Sequence, residues 1–319
     1  RKGIQVVKRA QALAWIMQAG RGVAVCGTHG KTTTTSMISR VLVDGGFDPT
    51  FLVGGELNDL GSNARRGQGA FVVCEADESD GSLLYLSPEV AVLTNVELDH
   101  HSHYRHIEDV EAVFERFLER LPATGLLVYC GEDRRVRRLA GRIDRPACSY
   151  GFADGDDYQA RDVESRHLGN RFQVWRRGSL VAQVELAVPG RHNVLNALAC
   201  FATLHELGRE ELVRILVEPR NALTKQYEKL FELENVKLHF PEDTIGALAD
   251  CALDKETGAR GLRAILEEVM LDVMFDLPSR KDVKECVITP GVVSKHEAPL
   301  LVYTNDYGEQ AGSGKTASA

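Results

Sequence analysis

A chain of 319 residues, 44% hydrophobic and 26% charged, is long enough for about two domains of ordinary size, each burying its own core. A net charge of -8 and a pI near 5.7 argue against a general nucleic-acid or anionic-membrane binder, because neither basic runs nor aromatic-basic interleaving is present. No apolar stretch approaches the roughly 18 residues of a membrane helix and the N-terminus lacks a signal-peptide core, so the cytoplasm is the expected compartment. The first residue is Arg1 rather than methionine, as in a fragment or a processed chain.

The first expected strand, 22–26, runs straight into Gly27-Thr28-His29-Gly30-Lys31-Thr32-Thr33-Thr34-Thr35 and a helical pattern. A buried strand, a glycine loop and a helix start form a phosphate cradle. Glycines let backbone N–H groups turn to an anion, the helix N-terminus adds partial positive charge, Lys31 reaches terminal phosphates and the Thr32 hydroxyl is placed for Mg²⁺. The loop is a short G-x-x-G-K-T form, since Val25 occupies the position of the first glycine in the longer pattern. An ordinary strand-to-helix turn is the alternative. A similar string, Gly312-Ser313-Gly314-Lys315-Thr316, has no strand before it and no room for a helix after it, and reads as tail.

Further strands are expected at 51–54, 70–74, 90–94 and 125–129, alternating with helical patterns in the manner of βαβ units around a parallel sheet. Between the last two, residues 107–121 put Ile107, Val110, Val113, Phe114, Phe117, Leu118 and Leu121 on one helical face, with Glu108, Glu111, Glu115 and Arg116 elsewhere. From 151 to 188, period-two segments such as Phe172-Gln173-Val174-Trp175 suggest an antiparallel addition. After about residue 208 helices dominate, at 210–217, 221–233, 242–253 and 259–276. The last carries an apolar stripe of Leu262, Ile265, Leu266, Val269, Met270, Val273 and Met274. Two strands are expected there, at 236–240 and 283–288, and residues 305–319 are expected to be a disordered tail. Seven scattered cysteines without a C-x-x-C pair read as reduced buried thiols.

Three more motifs fit the cradle. Glu75-Ala76-Asp77-Glu78-Ser79-Asp80 follows a buried strand, so its carboxylates emerge at the strand's C-terminal end, where ligands collect in open α/β sheets. A nucleotide site with Mg²⁺ needs a carboxylate from a neighbouring strand, and Glu75 is the first residue past the apolar run; a surface acidic turn is the alternative. The strand 90–94 leads into Thr94-Asn95-Val96-Glu97-Leu98-Asp99-His100 at the same edge. The cluster of His100, His101, His103 and His106 matches no zinc spacing. Asn193 and Asn196, three apart at a helix start, could read an adenine edge or serve as caps.

Together these strings resemble the central ATP-binding domain of the Mur ligases, and within them the branch that joins L-alanine to UDP-N-acetylmuramate. The resemblance covers residues 1–206 and rests on Gly27 to Thr34, Ser62-Asn63-Ala64-Arg65, Glu75 to Asp80, Thr94-Asn95 with Asp99-His100, and Gly190-Arg191-His192-Asn193 with Asn196. It implies an α/β fold, a P-loop parallel sheet with flanking helices, and ATP with Mg²⁺ as cofactors. It also implies that Gly27, Thr28, His29, Gly30, Lys31, Thr32 and Thr33 cradle the nucleotide, with Lys31 on the γ-phosphate. Thr32 and Glu75 would then ligate one Mg²⁺, His100 a second, and Asn193 and Asn196 would meet the adenine. The implied reaction is acyl phosphate formation on a carboxylate, followed by amine attack. The family's UDP-holding and closing domains are not expected within this chain, and Tyr104-Arg105-His106 stands where the family has a tyrosine and two glycines.

Residues 209–304 resemble something else, the C-terminal small domain of the ClpX unfoldase of the AAA+ class, through Glu211 to Tyr227, Lys255-Glu256-Thr257-Gly258-Ala259-Arg260-Gly261-Leu262-Arg263 and Asp276-Leu277-Pro278-Ser279. This implies a smaller helix-rich α+β lid-type domain over 207–304, contacts to an AAA+ hexamer or a Clp peptidase, and Arg260 as an ATP-contacting sensor; a solvated helix-start arginine is the alternative. Three functions stand open at this point: a Mur-type ligase or its ATP-binding portion, an AAA+ unfoldase subunit, and a non-enzymatic interaction module.

Overall fold

The computed structural model describes residues 6–55, 62–79, 81–99, 104–166, 168–217, 223–233, 235–255, 258–276, 282–295 and 297–303, with the side chains of 209–217, 223, 258–261, 272 and 276 excepted. The chain divides into two compact units, Arg1–His205 and Glu206–Ala319.

In the first unit the strands are β1 (Arg21–Cys26), β2 (Thr50–Leu52), β3 (Ala64–Arg65), β4 (Phe71–Glu75), β5 (Val90–Leu93), β6 (Leu126–Cys130), β7 (Ala147–Gly151), β8 (Tyr158–Arg166), β9 (Gly169–Arg176) and β10 (Ser179–Leu186). They form one sheet in the order β10-β9-β8-β7-β6-β5-β1-β4-β2-β3. From β2 through β8 every neighbour pair is parallel, whereas β3 and the β8-β9-β10 meander are antiparallel. β1 lies between β4 and β5, and all three are buried along almost their whole length. That explains their unbroken apolar runs, because a parallel strand covered on both faces has no solvent side to alternate with.

The helices are α1 (Arg9–Met17), α2 (Lys31–Asp44), α3 (Ile107–Leu118), α4 (Arg134–Ala140) and the start of α5 (Arg191–Val217), whose residues from Glu206 on belong to the second unit. α3 packs by the expected face: Val110, Phe114, Phe117 and Leu118 are buried with Met17, Leu83, Leu93 and Leu127 in one core, and Ile107 and Val113 pack at its margin. Each such side chain withdrawn from water contributes about 1.5–3 kcal/mol. Glu111 departs from the expected polar face. It is buried and takes both carboxylate oxygens to Arg138 Nη2, at 2.5 and 2.6 Å, so α4 covers what periodicity alone assigns to solvent.

The second unit holds α6 (Leu223–Leu233), α7 (Glu242–Asp254), α8 (Gly258–Asp276) and α9 (Pro290–Lys295) around a small sheet of β11 (Lys237–His239), β12 (Val283–Val287) and β13 (Leu300–Tyr303). β12 pairs parallel to β11 and antiparallel to β13. Leu262, Ile265, Leu266, Val269, Met270 and Val273 of the expected stripe are in its core, but Met274 is not, being 39% exposed on the far side of the last turn. The helical pattern at 210–217 is the end of α5 rather than a separate helix, and β7, β13, α1 and α4 were not expected. The tail beyond 303 and its glycine-lysine string lie outside the described residues.

Candidate active site

The site forms where β1, β4 and β5 end. Gly27 (φ 120°) and Gly30 (φ 85°) both take left-handed backbone, and a Cβ would meet Thr94 Oγ1 at 2.2 Å in the first case and Asn196 Oδ1 at 2.6 Å in the second. Only glycine satisfies both demands. The loop between them is tied to the end of β5: Thr28 N–H donates to Asn95 O (3.0 Å) and His29 N–H to Asn95 Oδ1 (2.8 Å). In return Asn95 Nδ2 (2.9 Å) and Thr94 Oγ1 (2.7 Å) donate to His29 O. Thr28 Oγ1 accepts from Glu97 N at 2.9 Å. The cradle is therefore held by Thr94, Asn95 and Glu97, residues that sequence reading placed at this edge without a role. His29 itself is exposed and Thr33 half-buried.

Lys31 starts α2 and folds back over the loop. Its Nζ donates to Gly27 O (2.6 Å), Thr28 O (3.1 Å) and both oxygens of Glu78 (3.2 and 3.0 Å). Thr32 Oγ1 donates to Glu75 Oε2 at 3.2 Å, and Gly54 N–H donates to Glu75 Oε1 at 2.6 Å. Adjacent oxygens around an octahedral Mg²⁺ with bonds of about 2.1 Å stand about 3 Å apart. The Thr32 and Glu75 oxygens thus fit two neighbouring positions of such an ion, leaving the others to phosphate and water. His100 lies outside the described residues, so the second expected metal ligand has no described position.

On the other side of the cradle, α5 brings Asn196 against it. Thr34 Oγ1 donates to Asn196 Oδ1 (3.3 Å), Asn196 Nδ2 to Asn193 Oδ1 (3.2 Å), and Asn193 Nδ2 to Pro189 O (2.7 Å). Asn196 is buried, while Asn193 and the neighbouring Arg191 and His192 are partly or fully exposed. Beneath the loop, burial drives the Cys26 thiol far above its ordinary range, with the charge of Glu78 adding to the effect. Burial, then the charge of Glu75, pushes Cys74 up to about 12. Both thiols stay protonated at neutral pH and serve as packing groups rather than nucleophiles.

The sequence profile of the Mur ligase middle domain matches residues 25–204, more than half of the chain. The chain belongs to the Mur ligase family. A protein of Acidithiobacillus ferrooxidans named UDP-N-acetylmuramate-L-alanine ligase is 37% identical over 99% of this chain and 68% of its own length. One of the same name from Oleidesulfovibrio alaskensis is 46% identical over 65% of this chain and 45% of its own length. The chain thus spans between about half and two thirds of these Mur ligase relatives. Among solved structures, UDP-N-acetylmuramate:L-alanyl-gamma-D-glutamyl-meso-diaminopimelate ligase from Neisseria meningitides is similar with a TM-score of 0.58 and 28% identity, over 65% of this chain and 68% of that one. The alanine ligase of Thermotoga maritima shares the fold, with a TM-score of 0.55 and 24% identity over 77% of this chain and 56% of that one.

A second profile, the C-terminal D2-small domain of ClpB protein, matches residues 207–289. The segment expected to resemble an AAA+ small domain therefore does so, with ClpB as the matching member. Arg260 stands in the first turn of α8, and its side chain lies outside the described residues. No described helix is long and apolar enough to cross a membrane.

Proposed function

We propose that the first unit binds Mg·ATP as the nucleotide site of a cytoplasmic Mur-type ligase that joins L-alanine to UDP-N-acetylmuramate. The observation that carries this reading is the pairing of Thr32 Oγ1 with Glu75 Oε2 at 3.2 Å beside a glycine loop crossed by Lys31. It would supply a metal position and an ammonium at one strand edge, the two charges a triphosphate needs. Bound there, Mg²⁺ would neutralise phosphate charge and polarise the γ-phosphorus. Lys31 would meet the terminal phosphates, the N–H groups of Gly30, Lys31 and Thr32 would face the anion, and Asn193 would border the adenine with Asn196 behind it. His100 would complete a second cation site.

The second unit is proposed as an AAA+ small-domain module of the ClpX and ClpB type. Ligase turnover by these 319 residues is accordingly expected to be low. Positioning of acceptor and amine contributes several kcal/mol to such a reaction, and the chain spans only part of the length of the relatives it matches.

Titration calorimetry with Mg·ATP tests the site: wild type should bind, and Lys31→Ala should bind at least tenfold more weakly, in keeping with loss of a charged phosphate contact. Equal binding by the two proteins would remove the cradle from the proposal.

A further inference from the structure

The sheet edge that carries the cradle also carries a stacked pair of side chains. Phe152 is the first residue past β7, and β7, β6, β5 and β1 are parallel neighbours in that order, so Phe152 emerges at the edge where Gly27 follows β1. Three strand spacings, about 14 Å, separate the two strands. Arg191, the first residue of α5, places its guanidinium carbon 3.8 Å from the centre of the Phe152 ring. Five residues on, about 7.5 Å along the helix axis, Asn196 accepts from Thr34 and faces Gly30. The line from Asn196 through Asn193 to Arg191 therefore starts at the phosphate loop and ends on the stack.

Both members of the stack are fixed by their backbones. Phe152 N–H donates to Glu132 Oε1 at 2.7 Å. The turn before Arg191 is pinned by Asn170, only 3% exposed, whose Nδ2 donates to Val188 O (2.8 Å) and Gly190 O (3.3 Å). At 3.8 Å the guanidinium lies flat on the ring, because a guanidinium pointing an N–H at it would hold its carbon further off. The side chain of Arg191 is exposed and makes no hydrogen bond or ion pair among the described residues, so its second face is turned to solvent. A cation on a ring at an exposed site adds little to stability. What the contact does is hold a rotamer-rich side chain in one place, with the entropy of ordering it already spent. The group so held is planar, delocalised and weakly hydrated, and such a plane stacks on nucleobases.

We propose that Arg191, laid on Phe152, is a stacking platform for the purine of the bound nucleotide, meeting the face of the base while Asn193 serves its edge. The proposal rests on the reading of the cradle as a nucleotide site. Phe152 is a positioning residue in this scheme, acting through Arg191. A face has no donor or acceptor pattern, so the platform holds adenine and guanine alike.

Titration calorimetry on the whole chain with ATP, GTP and tripolyphosphate, each with Mg²⁺, tests the platform, since tripolyphosphate offers the phosphates without a base. Arg191→Ala should weaken both nucleotides by about tenfold, the scale of one stacked base, and leave tripolyphosphate within twofold. Arg191→Lys keeps the charge and loses the plane, and should weaken the nucleotides nearly as much. Phe152→Leu keeps apolar bulk but removes the ring, and should weaken them by about threefold, again sparing tripolyphosphate. Arg40→Ala removes an equal charge about 13 Å along α2 from Lys31, beyond a Debye length of about 8 Å, and should change every affinity less than twofold. Melting temperatures of the Arg191 variants should stay close to wild type, as for other exposed contacts. Recovery of nucleotide binding in Arg191→Lys, or an equal loss of tripolyphosphate in Arg191→Ala, would make Arg191 a phosphate contact and overturn the platform. Unchanged nucleotide binding in Arg191→Ala, with normal binding by wild type, overturns it and spares the cradle. Absence of nucleotide binding in wild type overturns both.

Discussion

Gly54 donates its backbone N–H to Glu75 Oε1 at 2.6 Å, while Thr32 takes the other carboxylate oxygen. The loop after β2 thus holds the side chain that ends β4, and one oxygen is aimed at the cradle because the other is pinned. A Cβ on residue 54 would lie 2.7 Å from Glu75 Oε2, so Gly54→Ala must turn the carboxylate away. We expect that variant to weaken Mg²⁺-dependent ATP binding by about tenfold, and Glu75→Gln by more, since a neutral amide is a poor Mg²⁺ ligand. Calorimetry with and without Mg²⁺ checks it. A Gly54→Ala protein with wild-type Mg²⁺ dependence would mean that Glu75 does not hold the metal.

None of the seven cysteines is in a disulfide, and six are buried. Burial pushes Cys200 up to about 12 and Cys130 and Cys286 to about 11, and raises the half-buried Cys251 as well. Since the thiolate is the reacting form, alkylation of the native protein at pH 7.5 should be slow, with Cys251 labelled first and the rest only on unfolding. Mass spectrometry of iodoacetamide-treated protein reads this directly. Fast modification of Cys26 or Cys74 in the folded chain would contradict the packing beneath the site.

A second buried carboxylate sits away from the cradle. Asp156 is held against Arg137 Nη2 at 2.8 Å, yet burial raises its carboxyl above the ordinary value, Arg137 offsetting only part of this and Glu132 adding to it. A raised folded-state pKa means that the folded protein holds the proton more tightly than the unfolded chain. The stability this contributes is complete below the unfolded value of about 3.9 and is lost as pH rises through the folded one. Asp156→Asn cannot titrate. The melting temperature of the variant minus that of wild type should therefore be more favourable at pH 7 than at pH 4. The opposite trend would show that the Arg137 pairing outweighs burial.

Much of this was legible in the sequence where one physical demand dominates. Strands β1, β4 and β5 announce themselves because burial on both faces leaves no polar positions, and the Gly27 to Thr32 loop because close backbone approach admits only glycine. Long-range pairing was not legible. Nothing in the string Glu75 to Asp80 says that Glu75 meets Thr32 while Glu78 is buried on Lys31, since both partners come from the start of α2, more than forty residues earlier. Glu111 likewise reads as a surface residue until Arg138 is placed beside it. β7 was missed because Ala147-Cys148-Ser149-Tyr150-Gly151 is short and mixed, with Ser149 buried through its bond to Asp157.

Asn193 and Asn196 looked alike in the sequence and differ in the structure, which gives a prediction that separates them. Asn196 is buried behind the loop, its oxygen facing Gly30 and accepting from the fully buried Thr34 hydroxyl. Removing its carboxamide leaves Thr34 Oγ1 buried without an acceptor, a cost of about 1–3 kcal/mol. Asn193 is half-exposed, and beside its bonds with Pro189 O and Asn196 Nδ2 its amide keeps a second N–H and a second lone pair for a base. We expect Asn196→Ala to lower the melting temperature by several degrees, as such a loss does in a domain of this size, and to weaken ATP and GTP binding alike. Asn193→Ala should leave stability nearly unchanged and narrow the preference for ATP over GTP, because discrimination between the two bases rests on the donor and acceptor pattern of the adenine edge. Parallel thermal melts and competition binding with the two nucleotides measure both effects. If Asn196→Ala alters base preference while Asn193→Ala does not, the base contact belongs to the buried asparagine, and the picture of Asn196 as a brace for Asn193 and the cradle is wrong.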